Sequence, residues 1–226
     1  MAAARRRPLL HLSLLASACG LMALVEGILR PLYPVKSALK LLIFLGCIGL
    51  YMGLTGDRAP LDSLGRPSRR AILPAAGLAL AVFVFLLGGY ALLSPWLDLS
   101  AITGALEAKE GITAPLFPLV ALYISFVNSL LEEFFFRGFA FLAARKAGLY
   151  RLAWPLSALA FALYHVCILD GWFHPALFLL LTLGLAVAGL LFDWLDRDGT
   201  LWPSWLVHMA ANLATNLIGM RLFGIL

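Results

Sequence analysis

The chain has 226 residues, of which 62% are hydrophobic and 13% charged, whereas about a quarter of the residues of a soluble domain are charged. The net charge of +5 does not indicate nucleic-acid binding, because the basic residues form no stripe interleaved with aromatics. The three cysteines all lie within apolar runs, so they predict neither a disulfide framework nor a metal site; they are Cys19, Cys47 and Cys167. The composition therefore predicts a polytopic membrane protein.

Apolar runs near the length that spans a bilayer, about 20 residues, recur along the whole chain. They lie near residues 9–29, 38–55, 71–97, 116–140, 152–169, 173–194 and 201–223. We predict an all-α fold of about seven transmembrane helices around a central polar cavity. The chain is interpreted as one membrane domain, residues 1–226, with accessory helices in 1–97 and a core in 98–226. The first run is interpreted as an uncleaved signal anchor, because the sequence after it is also apolar.

The positions of the basic residues predict the topology. If the N-terminus is cytoplasmic, eleven cations lie in inner segments: Arg5, Arg6, Arg7, Arg58, Arg66, Arg69, Arg70, Arg145, Lys146, Arg151 and Arg197. Five lie in outer segments or the adjoining helix ends: Arg30, Lys36, Lys40, Lys109 and Arg221. The excess favours an N-terminus inside and a C-terminus outside. Arg30 and Lys36 are exceptions that leave a re-entrant first segment open. The short chain and arginine-rich start favour a prokaryotic cytoplasmic membrane.

Two longer polar segments interrupt the apolar pattern. Residues 55–70 contain Gly, Pro and four arginines and predict a cytoplasmic loop. Residues 98–115, with Asp98 and Glu110 among their charges, predict an outer loop with a short amphipathic helix. This loop separates an N-terminal half with few buried charges from a C-terminal half that carries nearly all of them.

The stretch LLEEFFFRGF, residues 130–139, places three charges inside an apolar run. Ionisable groups in a spanning helix are costly and mark a functional site by default. Glu133 and Arg137 are spaced i, i+4 and can pair. Glu132 points about 100° away and lacks that partner, so it could act as a general base beside a histidine. The alternative that both glutamates pair with arginines elsewhere remains open at this point.

Two later helices carry matching polar positions. FALYHV places Phe161 and His165 on one helical face, and HMAANLATN aligns His208, Asn212 and Asn216. Each group alone could be an interhelical hydrogen bond. Three helices with polar faces are satisfied most simply by facing one cavity. The expected cavity candidates beside these are Asn128, Phe161 and Asn216.

The segments EEFFFR (132–137), FALYH (161–165) and HMAAN (208–212) resemble a known set of motifs. They match Glu-Glu-x-x-x-Arg, Phe-x-x-x-His and His-x-x-x-Asn of the CPBP intramembrane proteases, which include type II CAAX prenyl endopeptidases and bacteriocin-processing proteins. The resemblance covers about residues 116–216. It implies that Glu132 and His165 activate water and that His208 and Asn212 stabilise an oxyanion. It also implies that Glu133 and Arg137 form a supporting ion pair.

Elementary chemistry agrees with those roles, since amide hydrolysis needs a base for water and donors for the developing oxyanion. Serine and cysteine nucleophiles are disfavoured, because no G-x-S-x-G elbow is present and Cys167 lies on nearly the opposite face from His165. Zinc is a second alternative, because Glu132, His165 and His208 could supply its ligands. The H-E-x-x-H signature is missing, so no cofactor is expected.

The other buried polar groups carry less weight. Glu26 is predicted to snorkel or to pair with Arg30, although it and His11 could line the same cavity. A solvated cytoplasmic turn is predicted for Asp193, Asp196 and Asp198. Lipid or core contacts are predicted for Phe134, Phe135 and Phe136.

The resemblance predicts a glutamic-type intramembrane endopeptidase that hydrolyses a membrane-associated protein or peptide, with substrate and bilayer as its partners and no nucleic acid. Possible substrates are leader peptides, C-terminal sorting tails and CAAX-like ends; a prokaryotic source favours the first two. One alternative is a non-catalytic scaffold or immunity protein that binds a peptide in the same cavity. Another is a transporter or proton relay, which the absence of an inverted repeat disfavours.

Overall fold

The computed structural model describes residues 2–96, 99–169 and 174–226. Over these ranges the chain forms helices and no strand, which confirms the all-α fold. The helices are α1 Ala2–Leu24, which continues as a π-helical turn at Val25–Leu29, α2 Tyr33–Thr55, α3 Ala59–Asp62, α4 Arg69–Leu93, α5 Ser100–Glu110, α6 Phe117–Lys146, α7 Ala153–Leu169, α8 Pro175–Leu195 and α9 Trp202–Leu222.

Five helices among the described residues are long and apolar enough to cross a membrane, namely those in α1, α2, α4, α6 and α8. The predicted count of seven stays a prediction. Helix α7 has 17 described residues, which is short for a span. Helix α9 has 21 residues, but His208, Asn212 and Asn216 reduce its hydrophobicity. The polar residues expected to form the site are therefore what separates α9 from an ordinary spanning helix.

Helix α6 contains two π-helical segments. Tyr123–Asn128 and Phe134–Ala143 are π-helical, with an α-helical turn at Ser129–Glu133 between them. Such wide turns are uncommon and frequently occur at functional sites. The two glutamates lie in the α-helical turn, and Glu132 and Glu133 point to different sides of α6, as the 100° spacing predicts.

The structure of the two polar segments, residues 55–70 and 98–115, agrees in part with the prediction from the sequence. In the 55–70 segment α3 packs against α6, and Gly138 permits this approach, since a Cβ there would lie 2.8 Å from Ser63 Oγ. The predicted outer-loop helix is α5, and Gly111 ends it with φ +68°, where glycine is favoured. Asp98, which was predicted for the same loop, lies outside the described residues.

Aromatic rings from three helices form the core below the cavity. Phe44 of α2 stacks on Phe135 of α6 with ring centroids 3.9 Å apart, and Phe136 contacts Tyr164 of α7. Phe135 and Phe136 are fully buried, so the prediction of core contacts for this run is confirmed. Many other large apolar side chains are exposed, among them Leu42, Phe85 and Leu183, as expected for helices that face lipid. The core thus fixes α2 against α6, which positions the polar residues one turn above it.

Candidate active site

A cavity of about 250 Å³ lies among α1, α2, α5, α6, α7 and α9. Its polar lining consists of Glu26, Tyr33, Lys36, Ser37, Lys40, Glu110, Asn128, Glu132, His165, His208 and Asn212. Leu106, Ile112, Ile124 and Ile168 supply the apolar lining. Because Glu26 lies near the end of the first helix and Tyr33 begins α2, the cavity extends from Glu132 toward the end of the bundle where that connection lies.

Glu132 lies at the inner end of this cavity, and its two carboxylate oxygens have different surroundings. Lys40 Nζ of α2 lies 2.9 Å from Oε1, and Asn128 Nδ2 donates to the same oxygen at 3.0 Å. Oε2 faces the cavity, 3.8 Å from His165 Nε2 and 3.7 Å from His208 Nε2. These distances are too long for direct hydrogen bonds and suit a bridging water.

His165 is oriented by its own helix. Its Nδ1 lies 2.8 Å from the carbonyl oxygen of Phe161. A carbonyl only accepts hydrogen bonds, so Nδ1 carries the proton. In the neutral ring Nε2 is then the free acceptor, directed toward Glu132. The side chain of His165 can therefore accept a proton from a water that Glu132 also holds.

His208 is oriented by the second glutamate. Its Nδ1 lies 2.7 Å from Glu133 Oε1, and since a carboxylate only accepts hydrogen bonds, Nδ1 carries a proton. When the ring carries both protons, Nε2–H is also a donor, directed into the cavity. The two adjacent glutamates thus face the same histidine from different sides, one through Nε2 and the other through Nδ1.

Glu133 belongs to a fully buried ionic cluster behind the cavity. Arg137 Nε lies 3.2 Å from Glu133 Oε2 and 3.6 Å from Asp193 Oδ1 of α8. The guanidinium lies between the rings of Phe161 and Phe192, at 4.4 and 4.9 Å, in cation–π geometry. The predicted Glu133–Arg137 ion pair is therefore present, with Asp193 as a further anion.

The prediction of a solvated turn is wrong for Asp193 and Asp196, both of which are fully buried. Asp193 accepts from Ser157 Oγ at 2.9 Å. Asp196 accepts from the backbone N–H and the hydroxyl of Ser204 near the start of α9. The nearby Arg197 favoured a solvated turn, but Asp193 lies against Arg137 of α6 and Ser157 of α7, and Asp196 lies against Ser204 of α9. Asp198 is exposed, as predicted.

The pKa of Asp196 lies well above its usual range, first because of burial and second because of the charge of Glu133. Hydrogen bonds from Ser204 act in the opposite direction without reversing it. The Asp196 carboxyl accepts hydrogen bonds from the backbone N–H and the hydroxyl of Ser204 in the first turn of α9. These bonds hold in place the helix that carries His208.

The remaining predicted site residues divide into two groups. Asn128 and Asn212 line the cavity, and Asn212 Nδ2 donates to the Ile124 carbonyl at 3.3 Å. Phe161 and Asn216 are not part of the cavity lining. Phe161 lies behind His165 and His208, whereas Asn216 bonds to Ser125 Oγ and to the Ala121 carbonyl. These two side chains support the site from behind.

A second set of charges surrounds the mouth of the cavity. Lys36 Nζ lies 2.8 Å from Glu26 Oε2 and 2.7 Å from Glu110 Oε1. Glu26 thus lines the cavity rather than snorkelling away from the helices. His11 does not line the cavity; it is fully buried between Tyr51 and Phe139.

The buried lysines of α2 are not among the residues predicted for the site. Lys36, Lys40 and Glu26 all have low exposure, so the prediction that the N-terminal half holds few buried charges is wrong. The available signal was the i, i+4 spacing of the two lysines inside α2. An apolar run that begins near residue 38 places both lysines near a helix end, whereas α2 begins at Tyr33 and includes both.

A divalent metal fits this site poorly. Within the part of the chain that the structure describes, no three His, Cys, Asp or Glu side chains are arranged to hold an ion. The Lys40 ammonium already neutralises Glu132 from one side, and a second cation beside it would be repelled. The side chains themselves supply a carboxylate, two imidazoles and an amide around one space, which is a donor and acceptor set suited to hydrolysis by water.

Comparison with known families agrees with the motifs. Residues 114–214 match the sequence model of the family described as type II CAAX prenyl endopeptidase Rce1-like. No curated protein and no solved structure matches the chain significantly. The matched segment contains Glu132, His165, His208 and Asn212 but not Lys40. Residues 114–214 are therefore similar to the type II CAAX prenyl endopeptidase Rce1-like family, in agreement with the three motifs.

Proposed function

We propose that the chain is a glutamic-type intramembrane endopeptidase that hydrolyses a peptide bond of a membrane-associated protein or peptide. The observation that carries the proposal is the position of Glu132 Oε2, 3.8 and 3.7 Å from the Nε2 atoms of His165 and His208 within one cavity. A water placed among these three atoms would lie within hydrogen-bond reach of each.

In the proposed reaction, Glu132 and His165 take a proton from this water as its oxygen attacks the scissile carbonyl carbon. The tetrahedral oxyanion is stabilised by Nε2–H of His208 and by the amide of Asn212, a kind of contribution that is typically worth several kcal/mol per donor. The C–N bond then breaks, and the proton held by Glu132 or His165 passes to the leaving amine. Glu133, held by Arg137, keeps the His208 ring oriented.

The position of the cavity mouth indicates from which side of the membrane a substrate would enter. The mouth lies at the end of the bundle opposite the N-terminus and most of the basic loops. If the N-terminus is cytoplasmic, as the positive-inside rule predicts, the substrate enters from the outer side. Leader peptides and C-terminal sorting tails exposed there fit this geometry better than cytoplasmic lipidated ends.

Labelling with a membrane-impermeant maleimide in intact cells tests this orientation. Cysteine at the exposed Thr113, beside the mouth, should react from outside, and cysteine at the exposed Arg66 should react only after lysis. The wild-type chain, with its three native cysteines, is the control. The reverse pattern would place the mouth on the cytoplasmic side and favour cytoplasmic substrates.

The catalytic test is cleavage of candidate membrane peptides by the purified protein, wild type beside Glu132→Gln, with and without chelator. Loss of cleavage in the variant alone supports the proposal, whereas loss with chelator favours zinc. Undiminished cleavage by the variant contradicts the role of Glu132. If no candidate is cleaved, full biological function of Glu132→Gln in cells would favour a non-catalytic scaffold or immunity protein.

A further inference from the structure

Helix α2 contributes a charged side chain to the site although it lies outside the matched domain. We infer that Lys40 is a positioning residue that orients Glu132 and places a positive charge beside its carboxylate; this inference rests on the proposed function. The argument depends on three contacts, on the surroundings of Lys40 and on the space left beside Glu132.

Lys40, Asn128 and Glu132 form a closed set of hydrogen bonds. Lys40 Nζ donates to Asn128 Oδ1 at 2.7 Å and to Glu132 Oε1 at 2.9 Å, and Asn128 Nδ2 donates to the same Oε1 at 3.0 Å. The amide orientation of Asn128 follows from its two partners. Glu132 Oε1 thus has two donors, and the carboxylate plane is fixed from that side.

This arrangement leaves Oε2 of Glu132 available to interact with a water in the cavity. Since Oε1 is held by Lys40 and Asn128, rotation of the Glu132 carboxylate is restricted, and Oε2 points to the two imidazoles. Lys40 is itself held, because its ammonium lies 4.9 Å above the Tyr164 ring and its side chain is only 8% exposed. A buried lysine without an anion would be costly, so the pair is mutually dependent.

Charge also distinguishes Lys40 from the other groups near Glu132. The titratable side chains near the Glu132 carboxylate are Lys40 and Tyr33 of α2, Tyr123 of α6, Tyr164 and His165 of α7, and His208 of α9. Among these described groups, Lys40 is the only lysine or arginine. Its removal takes a positive charge from beside Glu132, which should then take up a proton at higher pH.

The test compares pH–activity profiles of the purified full chain. In Lys40→Met the acid limb of the profile should move upward by about one to three pH units, with a fall in kcat below the new limb. Lys40→Arg, which keeps the cation, should leave the limb near its wild-type position. An unmoved limb in Lys40→Met, with an active wild type, would overturn the inference and leave the proposed function standing.

Lys36→Met is the matched control. Lys36 lies one turn before Lys40 on the same helix and is equally buried, but its partners are Glu26 and Glu110. This variant removes a buried lysine without touching Glu132, so its acid limb should stay at the wild-type pH whatever happens to KM. An equal shift in both lysine variants would overturn the inference, because a general loss of positive charge would then explain the effect.

A measurement without substrate separates this inference from the proposed function. The infrared band of the protonated Glu132 carboxyl, identified by difference from Glu132→Gln, should appear at higher pH in Lys40→Met than in the wild type. Equal titration in the two proteins overturns the inference even if no substrate is found. If Lys40→Met does not fold, adding Glu132→Gln should restore folding, because removal of both partners leaves no uncompensated charge; failure to restore it also counts against the inference.

Discussion

Glu132 and Glu133 are adjacent, almost fully buried carboxylates in one helical turn, yet their environments differ completely. Glu132 has one oxygen held by Lys40 and Asn128 and the other facing a cavity. Glu133 contacts Arg137 and His208 behind that cavity. Burial and charge are equal in the two cases, so neither predicts reactivity. What distinguishes Glu132 is an oxygen that faces space for water.

The counter-ions of the two glutamates also differ in geometry and flexibility. Arg137 is a planar fork that contacts two carboxylates and two aromatic rings at once, which makes a rigid, specific cluster. Lys40 is a compact charge on a flexible stem that satisfies one oxygen and leaves the other available. The arginine cluster therefore serves the structure, and the lysine pair is suited to a group that must change its protonation during a reaction.

The largest expected effect comes from replacing Glu132, with Glu133 as the comparison. Glu132→Gln should lower cleavage by about 10²- to 10⁴-fold, the usual contribution of a general base, and should also lower stability, because the buried Lys40 loses its anion. Glu133→Gln should lower cleavage less and thermal stability more. Activity assays and unfolding in detergent on both variants check the contrast. A reversed order of the two activity losses would contradict the assignment.

Removal of the arginine tests the buried cluster alone. Arg137→Met should lower the free energy of unfolding by about 3–5 kcal/mol, because Glu133 and Asp193 would be left without their cation. The control is Arg221→Met at the exposed end of α9, which should change stability by less than about 0.5 kcal/mol. Denaturant unfolding of both variants measures the difference, and similar small losses would show that the cluster contributes little.

A backbone contact supports the same cluster. Gly189 of α8 accepts from Arg137 Nη2 at 3.3 Å, and a Cβ there would lie 2.8 Å from Ala158 Cα of α7. Gly189→Ala should therefore destabilise by about 1–3 kcal/mol. Gly184→Ala on the same helix meets open space and should be neutral or gain up to about 1 kcal/mol. Thermal unfolding compares the two, and equal melting temperatures would refute the close packing.

The smallest effect concerns an ion pair at the opposite end of the bundle. Burial alone raises the pKa of Asp57, but hydrogen bonds from Lys146, the Ala59 N–H and Tyr51 outweigh it and hold this pKa below its usual value. A lowered pKa stabilises the fold above the unfolded value of about 3.9. That contribution is lost as the pH falls through the folded pKa.

Asp57→Asn should therefore be less stable than the wild type near pH 7, by about 1 kcal/mol or less since Lys146 is largely exposed. The difference should disappear as the pH falls below about 3.9. Thermal unfolding of both proteins across this pH range is the measurement, with Asp62→Asn, 65% exposed, as control. A difference that grows on acidification would show that the sign is wrong.

The helical class, the membrane environment and the pairing of Glu133 with Arg137 could be predicted from the amino-acid sequence alone. These follow from local properties: apolar run length, the i, i+4 spacing on a helix and the order of three motifs. The same reasoning predicted that Glu132, His165, His208 and Asn212 face a common cavity, and the structure places all four there. Their catalytic roles stay predictions.

The contacts between charged residues that are far apart in the sequence could be found only from the tertiary structure. Lys40 is 92 residues from Glu132 in the chain, and Asp193 is 56 residues from Arg137 (193 − 137). No local pattern encodes either pair, because each depends on how α2 and α8 pack against α6. The misplacement of Asp193 and Asp196 in a solvated turn has the same cause. A helix end looks polar in sequence whether water or another helix covers it.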